Sequence, residues 1–134
     1  MARVRASCTE RRLQLTPVRQ RTLEILLEHH AALGAYDVLA RLAQDGFGSK
    51  PPVAYRALNF LVEHGFAHRI ERLNAYVACD QPGDPHAPAF LICRACHNVA
   101  EAEARPPEMP EGFAVESTVV EVEGLCSACQ GAPA

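Results

Sequence analysis

The sequence predicts an α+β fold in two parts, a helical half closed by a β-hairpin and a smaller strand-rich half gathered around cysteines. Three observations predict it. Apolar residues recur at helical spacing in three successive segments and then switch to a period of two. A stretch rich in Pro, Gly and Asp, Asp80 to Pro88, breaks both periods and marks a boundary. Beyond it, Cys93, Cys96, Cys126 and Cys129 form two Cys-x-x-Cys pairs.

The first helix is announced by Thr16-Pro17, a capping hydroxyl followed by a proline already at helical φ. Val18, Thr22, Ile25, Leu26 and His29 then recur at helical spacing, which predicts a helix over 17–30. Gly34 ends the connection. Val38, Leu39, Leu42 and Ala43 give a second, shorter stripe that stops at Asp45-Gly46. Ser49-Lys50-Pro51-Pro52 is a good helix entrance, so a third helix is expected over 52–64, closing at Gly65. Its buried side is predicted as Ala54, Ala57, Leu58, Leu61 and Val62, with Tyr55, Arg56, Asn59 and Glu63 on the other face. Cys8 precedes all of this and is left unassigned, a disordered N-terminal thiol being favoured over a metal ligand.

After Gly65 the period is two, with Phe66, His68 and Ile70 on one face and Ala67, Arg69 and Glu71 on the other. A turn near Leu73-Asn74 leads into the strand 75–79. Three helices followed by a hairpin is the order of a winged helix, expected over residues 1–80. Residues 81–88 are then a linker and 89–134 a second domain, with strands expected at 89–93, 97–101 and 114–123 and a loop at 105–112.

The net charge of -3 hides an asymmetry. Residues 1–80 carry 11 Lys+Arg against 8 Asp+Glu, and residues 81–134 carry 2 against 8. Only the first half suits a polyanion. No run approaches the ~20 apolar residues of a membrane span, and no apolar signal core follows the N-terminal arginines, so a soluble cytosolic protein is expected. In a reducing cytosol paired cysteines are metal ligands or redox groups more often than disulfides.

Four thiolates on two knuckles match tetrahedral zinc. A half of this size with few aromatics has too little core to fold unaided, so the ion is expected to be a structural staple. A thiol oxidoreductase would need a βαβ setting that surrounds neither pair. A zinc hydrolase would need an open metal position with an adjacent base, and no His-Glu-x-x-His appears. No small organic substrate is expected. His68, Cys79, His86 and Glu101 offer a second, mixed donor set that favours zinc. Each also has a plainer reading, His68 as a satisfied core histidine and Cys79 as a small buried hydrophobe.

On the third helix an aromatic, an arginine and an amide stand together, which suits insertion into the major groove of double-stranded DNA. Arg56 could reach guanine O6/N7, Tyr55 base methyls or phosphate, and Lys50, Tyr36 and Arg19 the flanking backbone.

The strings Leu15-Thr16-Pro17-Val18-Arg19, Ala35-Tyr36-Asp37, Lys50 to Leu61, Gly65-Phe66-Ala67-His68, Phe90 to Cys96 and Gly124 to Cys129 resemble the Fur family of metal-dependent repressors. Within it they are most similar to the zinc uptake regulator branch. The resemblance implies a winged-helix DNA-binding domain, a small α/β dimerisation domain, and a homodimer that binds a palindromic operator when zinc is available. It implies two zinc ions per subunit: a structural one on Cys93, Cys96, Cys126 and Cys129, and a regulatory one on His68, Cys79, His86 and Glu101. Iron, manganese or peroxide is the alternative signal. The chain departs from the family at Val53-Ala54, where Thr-Val is usual before Tyr-Arg, and at 105–112, which is short and proline-rich where a helix is usual.

Overall fold

The computed structural model describes residues 1–29, 31–79, 88–103, 108–115, 118 and 120–131. The chain divides into two units, Met1–Asp84 and Pro85–Ala134.

In the first unit the Thr16 hydroxyl accepts from the Arg19 backbone N–H at 3.4 Å and Pro17 opens helix α2, Pro17–Leu27. The helix stops three residues before the predicted end at 30; His29 is exposed, its Nε2 3.3 Å from Arg41 Nη1. Gly34 precedes α3, Ala35–Gln44, and its N–H donates to the Asp37 carboxylate at 3.3 Å. Gly46 holds φ 86°, a left-handed turn that only a residue without Cβ adopts at little cost. Lys50 caps α4, Pro51–Glu63, with prolines in its first turn, where a missing N–H removes no hydrogen bond.

Leu23, Ile25, Val38, Leu42, Leu58 and Leu61 from these three helices are essentially excluded from water and form one core. Leu61→Ala is therefore expected to cost about 2–5 kcal/mol of unfolding free energy. Urea denaturation measures it, and a loss under about 0.5 kcal/mol, the usual range of a surface change, would contradict a shared core.

Two expectations change here. The N-terminal stretch is helix α1, Ala2–Arg11, with Val4 and Cys8 buried in the same core. One small apolar residue per turn, among arginines, gave no periodic signal, and Cys8 is a core hydrophobe and not a disordered thiol. Burial pushes its pKa up. On α4, Phe60 is buried while Val62 is 36% exposed, the reverse of the predicted edge. Both residues flank the apolar stripe at similar angles, so periodicity does not separate them. The neighbours do: Phe60 meets His64, Phe66 and Arg19.

The hairpin pairs β1, Ala67–Ile70, with β2, Ala75–Ala78, in register from Ala67 against Ala78 to Ile70 against Ala75. Asn74 takes φ 47° in the turn, and the Arg69 guanidinium donates to Asn74 and Glu71. Leu33 bridges Tyr76 through paired backbone hydrogen bonds of 3.0 and 2.8 Å, tying the hairpin to the helices. Burial does not alternate strictly. Phe66 and Ala67 are both buried, because Phe66 lies in the turn before the strand and drops into the core.

The second unit is a three-stranded sheet in the order β4-β3-β5, made of β3, Pro88–Cys93, β4, Val99–Glu103, and β5, Val120–Gly124. β3 pairs antiparallel with β4 and parallel with β5. The second strand begins two residues later than predicted, because His97, at φ 64°, and Asn98 close the turn after Cys93. The third is far shorter than 114–123; Phe113 and Val115 lie outside it and are exposed. Of the expected loop 105–112, residues 108–112 are described and form turn and irregular backbone. A one-turn helix, α5, Ser127–Gln130, follows β5.

Candidate functional site

The parallel register sets Cys93 against Gly124, so the two Cys-x-x-Cys pairs emerge at the same end of the sheet. Cys93 ends β3. Its N–H donates to Asn98 O at 3.0 Å and its carbonyl accepts from His97 at 2.9 Å, which folds the chain back and turns Cys96 toward it. Arg94 N–H donates to Gly124 O at 2.9 Å, fastening this turn to the chain entering the second pair. Cys126 caps α5, and one helical turn later Cys129 returns beside it, its N–H on Cys126 O at 3.0 Å.

The four sulfurs all lie within 4.8 Å of one another, with Cys93 buried, Cys126 and Cys129 half-buried and Cys96 exposed. Cys96 and Cys126 sulfurs are 3.8 Å apart. Two ligands at ~2.3 Å from a tetrahedral zinc are separated by roughly 3.8 Å. Donor type, number and spacing thus fit one zinc ion. Backbone N–H groups of Cys126 and Cys96 aimed at the Cys93 sulfur hold that thiol at about 5. The neighbouring sulfurs of Cys126, Cys93 and Cys96 push Cys129 up to about 12. Of these two, the Cys93 thiolate forms readily at neutral pH, whereas Cys129 needs a cation beside it to ionise.

Of the mixed donor set, His68 lies half-buried on β1 and Cys79 buried just after β2, where its N–H donates to Phe66 O at 3.0 Å. The hairpin register brings the imidazole and the sulfur within 4.8 Å of each other. Glu101 is half-buried on β4 in the second unit, and His86 lies outside the described residues.

The third candidate surface is α4. Tyr55, Arg56 and Asn59 are exposed on one side of it, Lys50 is exposed at its N-terminus, and Tyr36, at the start of α3, is 68% exposed. Arg19 differs: it is half-buried, with its guanidinium 3.9 Å from the Phe60 ring centroid. A cavity of about 410 Å³ is lined by the start of α2, by Phe47 and by the first turns of α4, and both Arg19 and Arg56 border it. Sequence reasoning missed Phe60 and Arg11 as supports of α4, since stacking of arginine on an aromatic ring leaves no periodic mark. Among the described residues, no helix is long and apolar enough to cross a membrane.

No family profile matches the chain. The zinc uptake regulation protein of Escherichia coli (strain K12) is 39% identical over 139 residues, covering 96% of this chain and 80% of the relative, and that of Shigella flexneri matches equally. Among solved structures, a zinc uptake regulator complexed with zinc and DNA superposes with a TM-score of 0.85 at 36% identity, over 96% of this chain and 91% of that one. Holo XcZur superposes with a TM-score of 0.83 at 35% identity, over 98% and 99%. With this identity spread along nearly the whole length, and with the fold and the four-cysteine cluster both present, the chain belongs to the zinc uptake regulator family.

Proposed function

We propose that the chain is a zinc-responsive transcriptional repressor that binds palindromic operator DNA as a zinc-loaded homodimer, and controls genes of zinc uptake and homeostasis in the cytoplasm. The observation that carries this reading is the likeness, over 96% of the chain, to a regulator solved with both zinc and DNA. The protein is a regulator and not an enzyme. Residues 1–80 are its DNA-binding domain, 81–88 its hinge and 89–134 its dimerisation domain.

Tyr55, Arg56 and Asn59 read base edges from the major groove in this mechanism, and Lys50 and Tyr36 hold phosphates. Cys93, Cys96, Cys126 and Cys129 hold a structural zinc, which when bound supplies a redox-inert cross-link. A second zinc per subunit would be held by His68, Cys79, His86 and Glu101. The pairing of His68 with Cys79 supports this, as does a donor set that suits zinc better than magnesium or calcium.

Regulation requires that the ion have different affinities for two states of the protein, since a ligand indifferent to both shifts nothing. Ligands taken from the hairpin, the hinge and a strand beyond it would meet only when the hinge is ordered. In a dimer, an ordered hinge would keep the two α4 helices about one DNA turn apart, ~34 Å.

Metal analysis of purified protein, paired with DNA binding in a titrated zinc buffer, tests the reading. The expected result is two zinc ions per subunit, and operator affinity that rises with free zinc. Iron or manganese driving DNA binding in place of zinc would overturn the zinc assignment. Cys79→Ser is expected to leave a folded dimer whose DNA affinity no longer tightens with added zinc, measured by fluorescence anisotropy. An unchanged zinc response would remove Cys79 from the regulatory set.

A further inference from the structure

Arg19 occupies the first turn of α2, and its surroundings set it apart from the other candidate DNA contacts. Its guanidinium carbon lies over the Phe60 ring, 3.9 Å from the centroid, and its Nη1 donates to the Gln14 carbonyl at 2.6 Å. Phe60 is buried on α4 four residues, about one helical turn, after Arg56. Tilted ring contacts continue beyond it. Phe60 meets His64 at 4.7 Å and Phe66 at 6.5 Å between ring centroids. Arg11 of α1 stands 5.6 Å over Phe66 and donates to the His64 carbonyl at 2.9 Å. Two arginines from α1 and α2 therefore grip the rear half of α4 through a row of rings.

The cavity in front of this row adds a second constraint. Arg19 and Arg56 both line it, together with Thr16, Val18, Phe47 and Val53. With Arg19 fastened to Phe60 and Gln14, one wall of the cavity stays positively charged. Arg56 lines the same cavity, so the position of Arg19 sets the charge that the reading guanidinium meets there.

We infer that Arg19 is a positioning residue of the DNA-reading helix. Clamped on Phe60, it fixes α4 against the start of α2; it is not primarily a phosphate contact. The inference rests on the reading of α4 as the DNA-binding element. It assigns the specificity contribution of Arg19 to intramolecular stacking, which demands a planar cation. Lysine keeps the charge but loses the flat face and the fork that reaches Gln14.

The test uses the full chain in a zinc buffer, with a duplex selected by the wild-type protein from a random-sequence pool and a scrambled duplex of the same length. Arg19→Lys and Phe60→Leu are each expected to lose about threefold to tenfold affinity for the selected duplex. The double variant is expected to be no weaker than the weaker single one, because both remove the same stack. Affinity for the scrambled duplex and the slope of log K against log salt should stay unchanged, which general loss of fold would not produce. Wild-type binding by Arg19→Lys, with a slope smaller by about one unit in Arg19→Gln, would establish a phosphate contact and overturn the inference. Multiplying losses in the double variant would overturn it too. If Phe60→Leu does not fold, the comparison of Arg19→Lys with Arg19→Gln decides alone. A wild-type protein that selects no duplex would overturn the DNA-binding reading itself, and this inference with it.

Discussion

Cys96→Ser is expected to unfold the second unit and, with it, to abolish the dimer. The sheet there is three short strands, and much of its apolar surface is not covered: Leu91 is 45% and Val122 48% exposed. Few apolar contacts are available to offset the entropy of ordering some forty residues, on the order of 1–2 kcal/mol each for the backbone. A structural zinc in a small domain contributes about 10 kcal/mol of apparent binding free energy, so with zinc bound the four thiolates would be the largest single source of stability. Replacing one thiolate with a hydroxyl leaves three good ligands, and the Cys96 to Cys126 edge of 3.8 Å loses one end. Circular dichroism and size-exclusion chromatography in the presence of zinc measure the outcome. A folded dimer with full zinc content would show that the sheet stands on its own packing. Exhaustive chelation of the wild-type protein should reproduce the variant, and the helices of the first unit, with their own core, should persist in both.

The second large effect is expected at Arg56. Arg56→Ala should cost about 1–3 kcal/mol of specific DNA binding and flatten the base preference at one position, since a bidentate guanidinium is the commonest reader of guanine in the major groove. Arg56 is exposed on α4, outside the core, so thermal stability and zinc content should match the wild type. Competition with duplexes substituted one position at a time measures the effect. An unaltered preference would remove Arg56 from the base-reading set.

These two residues also mark different ways in which the molecule could be read. The four cysteines were legible because metal ligation places strict demands on residue type and local spacing, and both demands appear in the linear sequence. Helices α2, α3 and α4 were legible for a similar reason: caps, prolines and stripes lie within one or two turns of one another. Helix α1 was not, because Val4 and Cys8 acquire meaning only from the core they enter. The same holds for Phe60 and Val62, which the helical period treats alike and the neighbouring Phe66 and Arg19 separate. The third strand was overextended: Phe113 and Val115 lie outside it, exposed, because an apolar residue in a β-prone run does not by itself show whether a neighbouring strand is there to pair with.

The sequence by itself determined two classes of feature: the two Cys-x-x-Cys pairs, and the exposed side of the α4 helix with Tyr55, Arg56 and Asn59. Both follow from chemistry that acts over a few residues. The tertiary structure alone decided that Cys93 and Cys126 meet, through the parallel register that sets Cys93 against Gly124 across a long connection. It also decided that Arg19, outwardly a free cation in a helix start, is spent on an aromatic ring more than forty positions away in the chain. Register and ring stacking depend on pairs remote in sequence, and no local propensity encodes them.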